Sequence, residues 1–133
     1  MLTVVYFSAR DPDPGATLAL GRAMNTIWPE VFDETSFSRR GLRCEVEDSS
    51  DWQAHVHEIT RFTEDFGEMF ARAAKLGIAA IFDTAVWPED RAAQGRVRLV
   101  LPPPLLAALG ACGAVVFVSD YVGSADRRAA DRP

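Results

Sequence analysis

The strongest pattern in the chain is a long amphipathic stretch between residues 51 and 76. Its apolar residues recur at steps of three and four, which places them on one face of a helix. They are Trp52, Val56, Ile59, Phe62, Phe66, Met69, Phe70, Ala73 and Leu76. Ser50 with Gln53 matches a capping box at the start, and Gly77 fits a left-handed cap at the end. The pattern predicts a helix about 39 Å long at about 1.5 Å per residue, with Gly67 marking a bend or a close crossing.

Shorter patterns on both sides of this helix predict strands. Residues 2 to 8 are rich in β-branched and aromatic side chains. Apolar and polar residues alternate within 36 to 47 and from 96 to 101, which predicts two strands with one buried face each. A third apolar segment begins at residue 78 and ends near Trp87. The last segment, 114 to 119, is almost continuously apolar, and this predicts a central strand of the sheet.

Two further helices and a loop follow from proline and glycine. Asp13 as a cap and Pro14 at the first helical position predict a helix over 14 to 28. The prolines at 102 to 104 open a short helix over 104 to 110. Residues 89 to 95 are polar and end in glycine, which predicts a loop.

The element order is therefore β-α-β-α-β-β-α-β. It indicates an α+β fold: a two-layer sandwich with a mixed sheet of about five strands and helices on one face, a ferredoxin-like variant. Residues 1–122 form a single globular domain by length. Small and charged residues from 123 to 133 predict a flexible C-terminal tail.

Charge and composition exclude several partners. The net charge of −5 and the lack of a basic stripe argue against nucleic acid. No segment approaches the roughly 20 apolar residues of a membrane span, so no membrane partner is expected. No signal peptide is recognisable, and the two cysteines, Cys44 and Cys112, fit a reducing compartment, so we expect a cytoplasmic protein.

The usual constellations of catalysis are missing from the sequence. His55 and His57 are two residues apart on a helix, about 200° around its axis, and therefore cannot face one metal together. Cys44 with a histidine is a conceivable nucleophile pair, but it falls on the apolar side of its strand, where a thiolate is disfavoured. Zinc, phosphate-loop and nucleophile-elbow spacings are absent. We predict no catalytic residue, no metal and no cofactor.

The C-terminal third resembles a known family. The run from Leu99 to Gly110, with three prolines and four leucines after Val100, precedes an apolar strand that ends Ser119-Asp120-Tyr121. Together with an early strand, an Asp-Pro turn, Gly41 and a long helix, it resembles bacterial domain of unknown function family 4279 over residues 2 to 121. The family has a tryptophan in its second strand, whereas Trp52 here lies in the helix. The resemblance implies an α+β fold and no activity, and some such small domains are similar to immunity proteins.

The first functional hypothesis is a non-catalytic protein-binding domain, immunity-like or regulatory, with a protein partner or self-association. Its candidate partner surface consists of Glu45, Glu47 and Asp48, an acidic segment, and of Trp87, because exposed tryptophans are enriched at binding hot spots. The simpler interpretation of the acidic residues is that they form a solvated face. The simpler interpretation of Trp87 is that it packs at the rim of the core.

The second hypothesis is a small-molecule-binding domain or a minor enzyme. Its site would be a cleft between the sheet and the long helix, near Cys44, Trp52 and His55. A pocket lined by converging polar groups would favour this alternative, and a sheet face filled with large apolar side chains would argue against it.

Overall fold

The computed structural model describes residues 1–9, 14–33, 43–94 and 97–121. Four strands and four helices lie within these ranges. In chain order they are β1 (Leu2–Ala9), α1 (Pro14–Ile27), β2 (Arg43–Asp48), α2 (Trp52–Lys75), β3 (Ile78–Val86), α3 (Pro88–Gln94), α4 (Pro103–Ala111) and β4 (Val115–Asp120). The chain therefore has the predicted α+β class, with helices and strands alternating along most of its length.

The four strands form one mixed sheet in the order β2-β1-β3-β4. β1 pairs antiparallel with both β2 and β3, whereas β3 and β4 are parallel. Parallel neighbours need a crossover connection, and α3 and α4 lie in that connection. The central strands are β1 and β3, which leaves β2 at one edge of the sheet and β4 at the other.

The main core lies between α2 and one face of the sheet, here called the core face, and a smaller buried cluster of Leu2, Val4, Ala85 and Trp87 lies on the other face. Val5 and Phe82 lie opposite each other in the β1–β3 register, and Phe82 lies opposite Val116 in β4. The buried face of α2 fills the space above them with large side chains, including Ile59, Phe62, Phe66 and Phe70. α1 and α4 contact α2, and buried residues of both helices belong to this same core.

The ends of α2 follow from local chemistry. Asp51, and not the predicted Ser50, caps the helix: its carboxylate accepts a hydrogen bond from the backbone N–H of Gln53 at 3.0 Å. The prediction of a capping box at Ser50 is thus one residue early. At the other end Gly77 has a φ of 82°, so the predicted left-handed cap is confirmed.

Residues 89 to 95 were predicted to be a loop, and this is wrong because α3 occupies residues 88 to 94. Pro88 is its first residue, where the missing N–H costs no hydrogen bond. The Asp90 carboxylate reaches back to the backbone N–H of Trp87 at 2.9 Å, which is the second half of a capping box. Short polar segments therefore form a helix when their first turn is capped in this way.

The predicted strand over 96 to 101 is also wrong for its described part, since residues 97–101 have no regular secondary structure. Their alternation is nevertheless matched by burial. Val97, Leu99 and Leu101 pack on the core, while Val100 is exposed and its carbonyl accepts a hydrogen bond from Trp52 Nε1 at 2.9 Å. An extended segment can thus alternate without joining a sheet.

The sheet accordingly has four strands in the described residues instead of about five, and its order does not confirm a ferredoxin-like variant. β4 was predicted to be central and is an edge strand. The first part of the predicted second strand, residues 36–42, and the predicted tail, 123–133, lie outside the described residues. No helix in the described part of the chain combines the length and apolarity needed to cross a membrane.

Candidate functional site

The predicted cleft between the sheet and α2 is part of the packed core. α2 begins at Trp52 and brings His55 over the core face of the sheet, where its ring contacts Thr3 of β1. Cys44, Trp52 and His55 are all buried, and His55 has no exposed surface. The indole of Trp52 stacks on the His55 ring with centroids 5.7 Å apart. The structure brings Trp52 and His55 together, and all three predicted residues have little surface with which to contact a ligand.

Both nitrogens of His55 have partners inside the protein. Nε2 lies 2.9 Å from the carbonyl oxygen of Ser49, and Nδ1 lies 2.7 Å from the Thr3 hydroxyl. A carbonyl can only accept, so Nε2 bears the proton of the neutral ring and Nδ1 accepts from Thr3. The Thr3 oxygen in turn lies 2.7 Å from the Thr84 hydroxyl, which donates to it. This chain joins α2 to β1 and β3 and satisfies a buried polar cluster.

Cys44 has the properties of a structural cysteine. Burial raises the pKa of its thiol to about 12, although the neighbouring Arg43 acts in the opposite direction. Such a thiol is protonated at neutral pH, and the thiolate is the nucleophilic form. Cys112 is also buried, and burial raises its pKa as well. Both cysteines are free.

The residues of the predicted partner surface lie in two different environments. Glu45 and Asp48 are exposed on the edge strand β2, and Glu47 is half-buried between them. Trp87 lies after β3, is fully buried, and stacks on Tyr121 with ring centroids 5.6 Å apart. The acidic residues are accessible to a partner, whereas Trp87 is a core residue in this conformation.

A cleft of about 400 Å³ adjoins the acidic end of β2. Met1, Asp48, Ser49, Ser50, Glu89 and Asp90 line it. Two of these residues form a buried ion pair, in which the amino group of Met1 lies 2.7 Å from the Asp90 carboxylate. The Met1 amino group balances the charge of Asp90, and the backbone N–H of Trp87 donates a further hydrogen bond to this carboxylate. In the described part of the chain, no group of three or more histidine, cysteine, aspartate or glutamate residues could hold a metal ion.

The opposite edge of the sheet is apolar. Phe117 and Val118 of β4 are 49% and 54% exposed, and Val115 is 40% exposed. Val100 and Leu106, which precede β4 in the chain, are exposed as well. Five of the seven large apolar side chains that are exposed in the described residues thus fall between positions 100 and 118. We call these five residues the α4–β4 surface.

The face of the sheet turned away from α2, here called the open face, adds polar groups beside this surface. Asp83 of β3 lies opposite Phe117 of β4 in the parallel register. The Ser119 hydroxyl donates a hydrogen bond to the Asp83 carboxylate at 2.8 Å. Burial raises the pKa of Tyr6 on β1, and the negative charge of Asp83 acts in the same direction.

The sequence analysis missed the α4–β4 surface because its residues have the composition of a buried strand. The run Val115 to Val118 is uninterrupted by charge, which is typical of a strand with neighbours on both sides. No local signal in the sequence distinguishes such a strand at the edge from one at the centre.

Comparison with known proteins identifies no relative. No family model matches the chain, and neither a curated protein nor a solved structure matches it.

Proposed function

We propose that the chain is a non-catalytic protein-binding domain, immunity-like or regulatory, and that it binds its partner through the α4–β4 surface. The observation that supports this most directly is the exposure of three large apolar side chains, Val115, Phe117 and Val118, on the edge strand β4. Monomeric soluble proteins rarely expose large contiguous apolar patches, and such patches are typical of interaction sites. A reducing, cytoplasmic setting fits the two free, buried cysteines.

The edge strand supplies the directional part of this interaction. β4 pairs with β3 on one side, so half of its backbone N–H and C=O groups face away from the sheet. A partner strand can pair with these groups, while pockets for alternate side chains give specificity. Val115 and Phe117 would contact such a partner on the open face, and Val118 on the core face.

The alternative, a small-molecule site between the sheet and α2, has less support. The space is filled by phenylalanines of α2, and both ring nitrogens of His55 are engaged. The acidic residues Glu45 and Asp48 stay a second candidate contact surface, because they are exposed and a basic partner would complement them.

The test is an affinity capture with matched variants. The protein, tagged at its C-terminus, is incubated with lysate of its own host, and proteins retained at moderate salt are identified by mass spectrometry. Phe117→Lys places a charge in the centre of the surface, whereas Leu76→Lys places one at a 78% exposed apolar residue at the end of α2.

We expect one protein to be retained by the wild type and by Leu76→Lys and to be lost from Phe117→Lys. Circular dichroism must show that both variants are folded. If Phe117→Lys retains the captured protein and a Glu45→Lys variant does not, the binding site lies on β2 instead. If no form of the protein retains any protein, not even an untagged copy of this chain, the proposal of a protein partner is overturned.

A further inference from the structure

The two edges of the sheet differ in how they are protected. β2 alternates charged side chains with buried ones, and its register to β1 shifts between Thr3 and Val4. Charged residues and irregular pairing are the usual means by which edge strands avoid adding a further strand. β4 has neither: its register to β3 is regular over six residue pairs, and no charged residue occurs before Asp120. The β4 edge is therefore open to a strand of complementary character.

We propose that this strand is β4 of a second copy, paired antiparallel to form a continuous eight-stranded sheet across two chains. The inference rests on the proposed function, because it names the occupant of the same surface. A two-fold axis perpendicular to the sheet keeps the core faces of both copies on one side. In this arrangement the opposed residues must point to the same face, which excludes registers shifted by one residue.

One register pairs the apolar residues of β4 best, and it places Phe117 opposite Phe117 of the second copy. Val115 then lies opposite Ser119, and Val116 lies opposite Val118, so apolar or small residues meet at every position. Asp120 falls beyond the first residue of the opposite strand and is not enclosed. The two neighbouring permitted registers are less favourable. Centring on Val118 would set Asp120 against Val116, and centring on Val116 would pair only residues 115–117 within both strands.

Charge favours β4 over β2 as the edge that meets a second copy. Each chain has a net charge of −5, so two copies repel each other, and a contact without like charges adds least to that repulsion. The only charged residue of β4, Asp120, forms an ion pair with Arg91 of the same chain. Pairing through β2 would bring the exposed carboxylates of Glu45 and Asp48 from both copies together.

The size of the contact sets the expected strength. β4 is six residues long. Pairing two such strands gives an interface at or below about 1,200 Å². Interfaces of this size are typical of weak complexes, and we expect dissociation constants in the micromolar range.

The register makes a cross-linking test specific. Directly opposed residues in an antiparallel pair have Cα atoms about 4.5–5.5 Å apart, which suits a disulfide. Phe117→Cys should therefore yield a covalent dimer under a mild oxidant. Val115→Cys should not, because the two cysteines would lie about 13 Å apart along the strand. Adding Ser119→Cys to Val115→Cys should restore the cross-link. Cys44 and Cys112 are buried and do not compete.

Sedimentation equilibrium measures the association itself, from about 1 to about 200 μM protein. We expect wild type and Leu76→Lys to dimerise in this range and Phe117→Lys to stay monomeric. Cross-linking of Val115→Cys alone, without cross-linking of Phe117→Cys, would refute the register.

A wild type that is monomeric throughout the range would overturn the second copy as occupant. If a variant ending at Tyr121 then dimerised, residues 122–133 of the same chain would be the occupant instead. Neither result contradicts the proposed function if the wild type captures a protein that Phe117→Lys does not. The proposed function and the proposed dimer can therefore be refuted independently.

Discussion

Gly67 lies where α2 crosses the end of α4, and replacing it by alanine tests how closely the two helices approach. A Cβ atom at position 67 would lie 3.2 Å from Cys112 Sγ, closer than the 3.4–4 Å of ordinary van der Waals contact. Cys112 is buried and is the C-cap residue of α4. The sequence predicted a bend or a close crossing at Gly67, and the close crossing is confirmed.

Two opposing effects determine the result of Gly67→Ala. Alanine is favoured over glycine inside a helix by about 1 kcal/mol. An added methyl group in a packed core costs about 1–3 kcal/mol, because neighbours must move. The net effect on the free energy of unfolding is therefore between zero and a loss of about 2 kcal/mol. Removing the sulfur by Cys112→Ala relieves the contact, so Gly67→Ala should then stabilise by about 1 kcal/mol.

The assay is urea unfolding of wild type, both single variants and the double variant, followed by circular dichroism. The expected coupling between the two substitutions is about 1–3 kcal/mol. Gly110→Ala is the control, since a Cβ there would meet no heavy atom within 4 Å and should stabilise by about 1 kcal/mol. If Gly67→Ala changed stability equally in both backgrounds, to within about 0.5 kcal/mol, the close contact would not exist.

Three further predictions concern buried polar groups. Asp90→Asn leaves the buried amino group of Met1 without its counter-charge and should cost about 3–5 kcal/mol in urea unfolding, so a loss below about 1 kcal/mol would contradict the ion pair. Thr3→Val removes the donor to His55 Nδ1 and should cost about 1–3 kcal/mol, whereas an unchanged midpoint would contradict the assigned proton positions. Burial raises the pKa of Cys44 to about 12, above the ordinary 9.0 of a cysteine thiol, so the unfolded chain loses this proton first. Stability should fall between these pH values by up to about 1.4 kcal/mol per pH unit, and Cys44→Ala should show a correspondingly smaller slope.

Local patterns predicted those elements whose stability is local or whose amphipathic face is wide. α2 is correct to within one residue at each end, because its apolar stripe and Gly77 are both properties of the sequence. β1 and β3 were recognised from β-branched and aromatic runs. Cys44 and His55 both lie on the buried side of their own elements, and their role as a site stays a prediction.

The errors occurred where a pattern fits two structures. Alternation from Val97 to Leu101 predicts a half-buried strand, but an extended segment that packs on a core has the same alternation. Residues 89 to 94 are polar like a loop, and they form a helix because Asp90 caps it and binds Met1. That bond joins residues 89 positions apart, so the local sequence contains no sign of it.

The position of β4 is the most informative of these errors. Its run of apolar residues matches a strand buried between neighbours, yet within the described residues it has a neighbour on one side alone. Strand pairing is non-local. The sequence of a strand therefore indicates the environment that the strand requires, but it does not indicate whether the same chain or another chain provides that environment. A mismatch between local sequence and local environment is expected at functional sites. If a second copy pairs with β4, the strand becomes central and its sequence agrees with its surroundings. Phe117 and Val118 are then exposed in a single chain because they form the contact between the two copies.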